Sequence, residues 1–206
     1  MPTKPWPRRL LILAALLLVD YTLGAALART PREAWPAWRV TYVAWATHAG
    51  YGATTLLMAA LLAAAGCLFE RRAWRLGARW LAGSTLLAGF WVHVIKHLVG
   101  RPRPRMLAWH GAWLPVGPTL RASWDSCPSG HAMTVFAAAP VLAALWPKTA
   151  RLWYSLAVLV AVGRAVGGDH YPSDVVIGGI LGLTIGRYCA ARWRDEVEDE
   201  GVPVPR

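Results

Sequence analysis

Apolar residues run along this chain in six long blocks, separated by short arginine-rich breaks. The blocks cover residues 10–28, 52–69, 80–99, 132–146, 152–166 and 175–191. Long apolar runs without strict alternation predict membrane helices, each wanting about 20 residues to cross a hydrocarbon core of about 30 Å. Several blocks are shorter than that, so the prediction rests on the set of six. It gives an all-α fold, a polytopic membrane helix bundle of about six transmembrane helices, in a single membrane-embedded domain over residues 1–206. The first block follows a basic start, as a signal peptide would, but it is long enough to span and no small-residue cleavage site follows it.

The segments between the blocks are less uniform. Trp35, Trp38, Tyr42 and Trp45 stand at helical spacing among Arg29, Arg32 and Arg39. Trp and Tyr favour the membrane–water boundary, so this segment predicts a short interfacial helix. Residues 70–79 read as a sharp charged break, and residues 100–130 as a polar, proline-rich loop. Gly178, Gly182 and Gly186 lie four apart in the last block, a spacing that lets membrane helices approach closely. The charged stretch 195–206 predicts a disordered cytoplasmic tail. Asp20 interrupts the first block. An acid inside a membrane run marks either function or a hydrogen bond to a neighbouring helix.

Composition supports the membrane reading: 56% of residues are hydrophobic and only 16% charged. The net charge of +11 would suit a nucleic-acid binder, but the arginines flank apolar runs instead of forming a soluble basic face. Positive charge sorts loops to the cytoplasmic side. With a cytoplasmic N-terminus and six spans, 13 of the 22 lysines and arginines fall on that side and 9 on the other. The Ala-, Arg- and Trp-rich composition suggests a GC-rich bacterium, and the expected location is its inner membrane. Cys67, Cys127 and Cys189 have no paired spacing, so no disulfide framework or zinc site is indicated.

The candidate chemistry lies in three clusters within residues 96–174, and the six-span topology puts all three on the non-cytoplasmic side. The first runs from Lys96 to Pro104, the second is Pro128-Ser129-Gly130-His131, and the third runs from Arg164 to Asp174. Cleaving a phosphomonoester takes charge neutralisation, an in-line nucleophile and an acid for the leaving oxygen. Lys96, Arg103 and Arg164 supply cations, Arg as a planar fork and Lys as a point charge. Ser129 and Gly130 open the fourth block, where a helix N-terminus would offer backbone N–H groups to an anion. His170 is the expected nucleophile, forming a phosphohistidine, with Asp174 orienting it. His131 is the expected general acid. His93 lies one helical turn before Lys96 and could stand behind it, whereas His48, His97 and His110 read as interfacial. Arg101, Arg105 and Asp125 flank the motifs as headgroup contacts or solvated loop charges.

These three clusters resemble the signature of the type-2 phosphatidic acid phosphatase superfamily: Lys-x6-Arg-Pro, then Pro-Ser-Gly-His, then Ser-Arg-x5-His-x3-Asp. The match falls on Lys96, Arg103 and Pro104, on Pro128 to His131, and on Arg164, His170 and Asp174. Gly163 departs from it, standing where the family usually has Ser. The resemblance implies a six-helix membrane fold, dephosphorylation without a metal or other cofactor, and a site facing the periplasm or cell exterior. The expected partners are a membrane lipid phosphate and the bilayer, with no nucleic acid. Undecaprenyl pyrophosphate, phosphatidic acid, phosphatidylglycerol phosphate and lipid A phosphates are the candidate substrates. Two alternatives stay open: a lipid phosphotransferase using the same phosphohistidine, and a small transporter or channel.

Overall fold

The computed structural model describes residues 6–107 and 113–203. Lys4, His110 and Arg206, which entered the readings above, lie outside the described residues. Among the described residues the chain forms seven α-helices and no strand. They are α1 (Trp6–Arg29), α2 (Ala37–Gly50), α3 (Gly52–Leu68), α4 (Arg72–Val99), α5 (Gly130–Leu145), α6 (Ala150–Val166) and α7 (Pro172–Asp199). The six apolar blocks become α1, α3, α4, α5, α6 and α7, giving a helical membrane bundle. By length and composition α7 and residues 147–166 could each cross a membrane alone, and α2 with α3, bent by 55° at Tyr51, would make a third span.

The pairing of α5 with α7 is set by small residues. A β-carbon added at Gly178 would lie 2.5 Å from the carbonyl oxygen of Ser129. At Gly182 and Gly186 it would press still closer on the carbonyls of Met133 and Ala137. One glycine stripe therefore rests on successive turns of α5 backbone. Lipid tails are as apolar as leucine, so such close packing is what holds membrane helices together. At the other end of these helices α3, α4, α5 and α7 share a core that includes Leu81, Leu145, Trp193 and Val197.

Three expectations about the connecting segments change. The break at 70–79 is confined to a tight turn, because Arg72, Arg75 and Arg79 lie in the first turns of α4 and find partners there. Arg72 grips Glu200 through two hydrogen bonds of 2.8 Å, Arg79 pairs with Glu196, and Arg75 donates to the Gly66 carbonyl at 3.2 Å. The same contacts correct the disordered tail: helix continues to Asp199, and Val197 is fully buried. The third change concerns α2, which does not simply lie along an interface. It packs Arg39, Val43, Ala46 and Gly50 inward while Trp38 and Trp45 stay exposed. Arg39 donates to the Val166 carbonyl at 2.8 and 3.1 Å and to the Leu27 carbonyl at 3.1 Å. It thus serves the unpaired carbonyls at the ends of both α6 and α1.

Candidate active site

The three motif segments meet where α4 and α6 end and α5 and α7 begin. Gly100 turns the chain off α4 at a φ of 55°, a left-handed conformation that glycine adopts without a β-carbon penalty. The following loop folds back over the helix end. Val116, Gly117 and Thr119 donate backbone N–H groups to the carbonyls of Gly100, Val99 and His97. Arg103 donates to Ser123, and Ser126 to Arg101, at 3.1 and 2.9 Å. Helix-end carbonyls that would otherwise lack partners therefore fix the loop carrying Arg101, Arg103, Asp125 and Ser126.

Arg101 is the centre of a buried network. Its guanidinium donates to Asp174 Oδ1 at 2.6 Å, Ser173 Oγ at 2.6 Å, Asp20 Oδ2 at 2.7 Å and the Trp113 carbonyl at 3.0 Å. It also sits 4.0 Å over the Tyr171 ring. Asp20 receives in addition the backbone N–H of Ser173 at 2.7 Å and its hydroxyl at 2.8 Å. The acid in the first apolar block thus ties α1 to the start of α7. Burial alone would lower the Arg101 pKa, but the carboxylates of Asp174 and Asp20 more than offset it and raise the value. Neither a headgroup contact nor a solvated loop describes this residue.

His170 is buried in the turn between α6 and α7, 3% exposed. Its Nδ1 lies 2.7 Å from the Ser126 carbonyl. This corrects the expected direct pairing with Asp174. Helix α7 begins only at Pro172, so His170 and Asp174 do not share a helical face. Asp174 instead turns back on the helix start, where its Oδ2 accepts the Tyr171 N–H at 2.9 Å and the Ser126 hydroxyl at 2.6 Å. Its influence on His170 passes through Ser126. Burial, and then the charges of Lys96, Arg103 and Arg164, hold the His170 pKa well below the ordinary histidine value. The three expected phosphate-binding cations therefore stand around this imidazole, which is neutral at pH 7.

Each of those cations is matched by a carboxylate. Arg103 makes a two-pronged contact with Asp125 at 2.8 and 2.9 Å, and Lys96 Nζ lies 3.6 Å from the same group. Burial would raise the Asp125 pKa, but Arg103 and Lys96 outweigh it and lower the value. Arg164 donates to Asp169 at 2.7 Å and to the Thr47 hydroxyl. His131 is held at the start of α5 by α2. A β-carbon at Gly50 would meet its ring at 2.8 Å, and Tyr51 packs edge-on at 5.1 Å. Buried side-chain polar atoms without a hydrogen-bond partner include Ser129 Oγ and His131 Nε2 of the second motif segment, and Arg164 Nε and Tyr171 Oη of the third. Buried polar atoms normally find partners, so these have bonding capacity to offer a ligand. The first-turn N–H groups of α5, at Gly130 and His131, lack intrahelical partners by helix geometry and add to it.

Other candidates fall outside the cluster. His93, His97 and His48 are exposed, and His97 Nδ1 turns to the His93 carbonyl at 2.8 Å. Cys127 is buried, and burial followed by the nearby Asp174 charge pushes its pKa up to about 12, so it stays a thiol. Among the described residues no three His, Cys, Asp or Glu side chains gather to hold a metal ion. Sequence reasoning left Asp169, Ser126 and Thr47 without a role, and gave Arg101 and Asp125 the wrong surroundings. Only Asp169, beside His170 in the third motif, carried a local signal. Gly163 has a steric cause: a β-carbon there would collide with Ala46 of α2, so this chain has no room for the family's Ser.

The model of the PAP2 superfamily matches residues 77–197, a stretch containing all three motif segments. A lipid A 1-phosphatase of Rhizobium etli is 30% identical over 99 residues, 48% of this chain and 43% of that protein. A lipid A 1-phosphatase of Rhizobium johnstonii is 30% identical over 95 residues, 46% of this chain and 39% of that one. The bacitracin transport permease protein BcrC of Bacillus licheniformis is 37% identical over 59 residues, 29% of each chain. The matched stretch spans less than half the length of either lipid A 1-phosphatase. No solved structure gives a significant match.

Proposed function

The chain belongs to the PAP2 superfamily, and from that premise we propose that it is an integral-membrane lipid phosphatase working through a phosphohistidine at His170. The observation that carries this is the contact between His170 Nδ1 and the Ser126 carbonyl. A carbonyl only accepts, so Nδ1 holds the proton and Nε2 keeps its lone pair for phosphorus. Lys96, Arg103 and Arg164 neutralise the non-bridging phosphoryl oxygens, and the Ser129 hydroxyl with the first N–H groups of α5 completes the cradle.

The lone pair of Nε2 forms the N–P bond as the P–O bond to the lipid breaks. His131 gives its proton to the leaving oxygen, then takes one from the water that attacks the phosphohistidine. Inorganic phosphate leaves, and His170 is regenerated. Asp174 and Arg101 act at a distance, by holding Ser126 and the start of α7. No step passes through a metal.

The proposed substrate is a lipid phosphate or diphosphate whose headgroup reaches the periplasmic or outer face of a bacterial inner membrane. The names of the two rhizobial relatives support a lipid phosphate as the class, and the charge distribution supports the orientation. The test is phosphate release in detergent, with EDTA present, from phosphatidic acid, phosphatidylglycerol phosphate, undecaprenyl pyrophosphate and lipid A. Release by the wild type that disappears in His170→Ala is expected. Undiminished release by His170→Ala would overturn the assignment. Labelled phosphate passing to an acceptor lipid would replace hydrolysis with transfer.

A further inference from the structure

Asp169, the residue before His170, is contacted by more than the catalytic arginine. Its Oδ2 accepts from Arg164 at 2.7 Å, while its Oδ1 faces Arg105 at 3.5 Å and Arg32 at 3.7 Å. Arg164 is buried, but the Arg105 and Arg32 side chains are 52% and 65% exposed. Three guanidinium groups thus share one carboxylate. Next to them a cavity of about 160 Å³ opens between α1 and the loop after α4, lined by Arg29, Arg105 and Tyr21 among others. Glu33 is the one carboxylate within residues 29–39, and among the described residues Arg32 and Arg105 pair with Asp169 and not with it. The rim of the site on this side therefore carries an excess of cations with free donors.

We infer that Arg32 and Arg105, with Arg29 across the cavity, form a second anion subsite that takes a second phosphoryl group of the substrate. The inference rests on the lipid phosphatase reading and narrows it to lipids bearing two phosphoryl groups. Asp169 separates the two subsites by the width of one carboxylate, with Arg164 on the phosphoryl-transfer side and Arg32 and Arg105 on the rim. Arginine suits the task because its planar fork meets phosphate oxygens with two parallel hydrogen bonds. A single phosphomonoester has no group to offer there. The shared chemistry covers a pyrophosphate, whose second phosphoryl is bonded to the first, and a glycolipid phosphorylated at two positions.

The experiment compares the wild type with Arg32→Gln/Arg105→Gln on three lipids: phosphatidic acid, undecaprenyl pyrophosphate and doubly phosphorylated lipid A. The readout is the ratio of kcat/KM for each two-phosphate lipid to that for phosphatidic acid. That ratio is expected to fall about tenfold, the loss of roughly one charge-assisted hydrogen bond. Arg32→Lys/Arg105→Lys is expected to recover part of it. A drop confined to the pyrophosphate places the subsite next to the transferred phosphoryl, and a drop confined to lipid A places it further out. An unchanged ratio for both, whether all three rates fall together or none falls, overturns the subsite. No release from any lipid by the wild type would instead overturn the phosphatase reading. In that case binding of inorganic pyrophosphate against orthophosphate, measured on both proteins, still tests the subsite. Equal affinities for the two anions in the wild type would count against it.

Discussion

Arg101→Met removes the cation that two buried carboxylates share. Asp20 is 3% exposed, Asp174 is fully buried, and each lies within 2.7 Å of the guanidinium. Breaking one buried ion pair costs about 3–5 kcal/mol, because the remaining charge is left without a partner. Here one substitution strands two carboxylates and two further acceptors, although the losses are not additive. A loss of about 5 kcal/mol follows, against a total stability of about 5–15 kcal/mol for a folded protein. At about 2–4 °C per kcal/mol for a chain of this size, the melting temperature should fall by roughly 10–20 °C. Arg101→Lys keeps the charge but reaches fewer partners, so it should lose about half as much. Adding Asp20→Asn to Arg101→Met removes one stranded charge and should recover part of the loss. The assay is thermal unfolding in detergent followed by size-exclusion chromatography, with phosphate release on the surviving fraction. A drop of less than about 4 °C for Arg101→Met, roughly 1 kcal/mol, would show that the two carboxylates do not depend on this cation.

Three further outcomes follow from the same geometry. Asp125→Asn frees Arg103 and Lys96 from a competing carboxylate, so inhibition by inorganic phosphate should tighten by about tenfold; weaker inhibition would show that Asp125 serves to hold Arg103 in place. Gly163→Ser should cost about 1–3 kcal/mol by forcing α6 away from Ala46, and adding Ala46→Gly should restore the melting temperature; a fully stable single variant would contradict the steric account. The folded pKa of His170 lies below its unfolded value of about 6.5, so protonation favours the unfolded chain and stability should fall as pH drops below about 6.5. His170→Asn removes that contribution, and an unchanged dependence of melting temperature on pH between 7 and 5 would disprove it.

Much of the helical layout was legible in the chain because apolar length decides membrane helices. That the three motif segments belong to one family signature was also legible, because the residue types recur at fixed spacing. What escaped was fixed by tertiary partners. Asp20 could be flagged from its place in an apolar run, but its bonds go to Ser173 and Arg101, far along the sequence. Spacing suggested that Asp174 shares a helical face with His170. The proline at the start of α7 moves His170 off the helix, and the orienting group becomes a backbone carbonyl that no side-chain pattern reports. Some signals were present and outweighed. Arg72, Arg75 and Arg79 already stand at helical spacing, and Val197 lies one turn after Trp193 on the buried face of α7. Local charge density obscured both.

The proposed mechanism requires His170 Nε2 to become bonded to phosphorus during turnover. It is tested by incubating the protein with lipid phosphate labelled in the scissile group, quenching in alkali and asking where the label resides. A phosphorus–nitrogen bond at a histidine survives alkali and is lost in mild acid. Label bound in this way to the wild type, absent from His170→Ala and retained longer in His131→Ala, is the predicted result. Turnover with label on another residue, or label undiminished in His170→Ala, would rule out a phosphohistidine at His170.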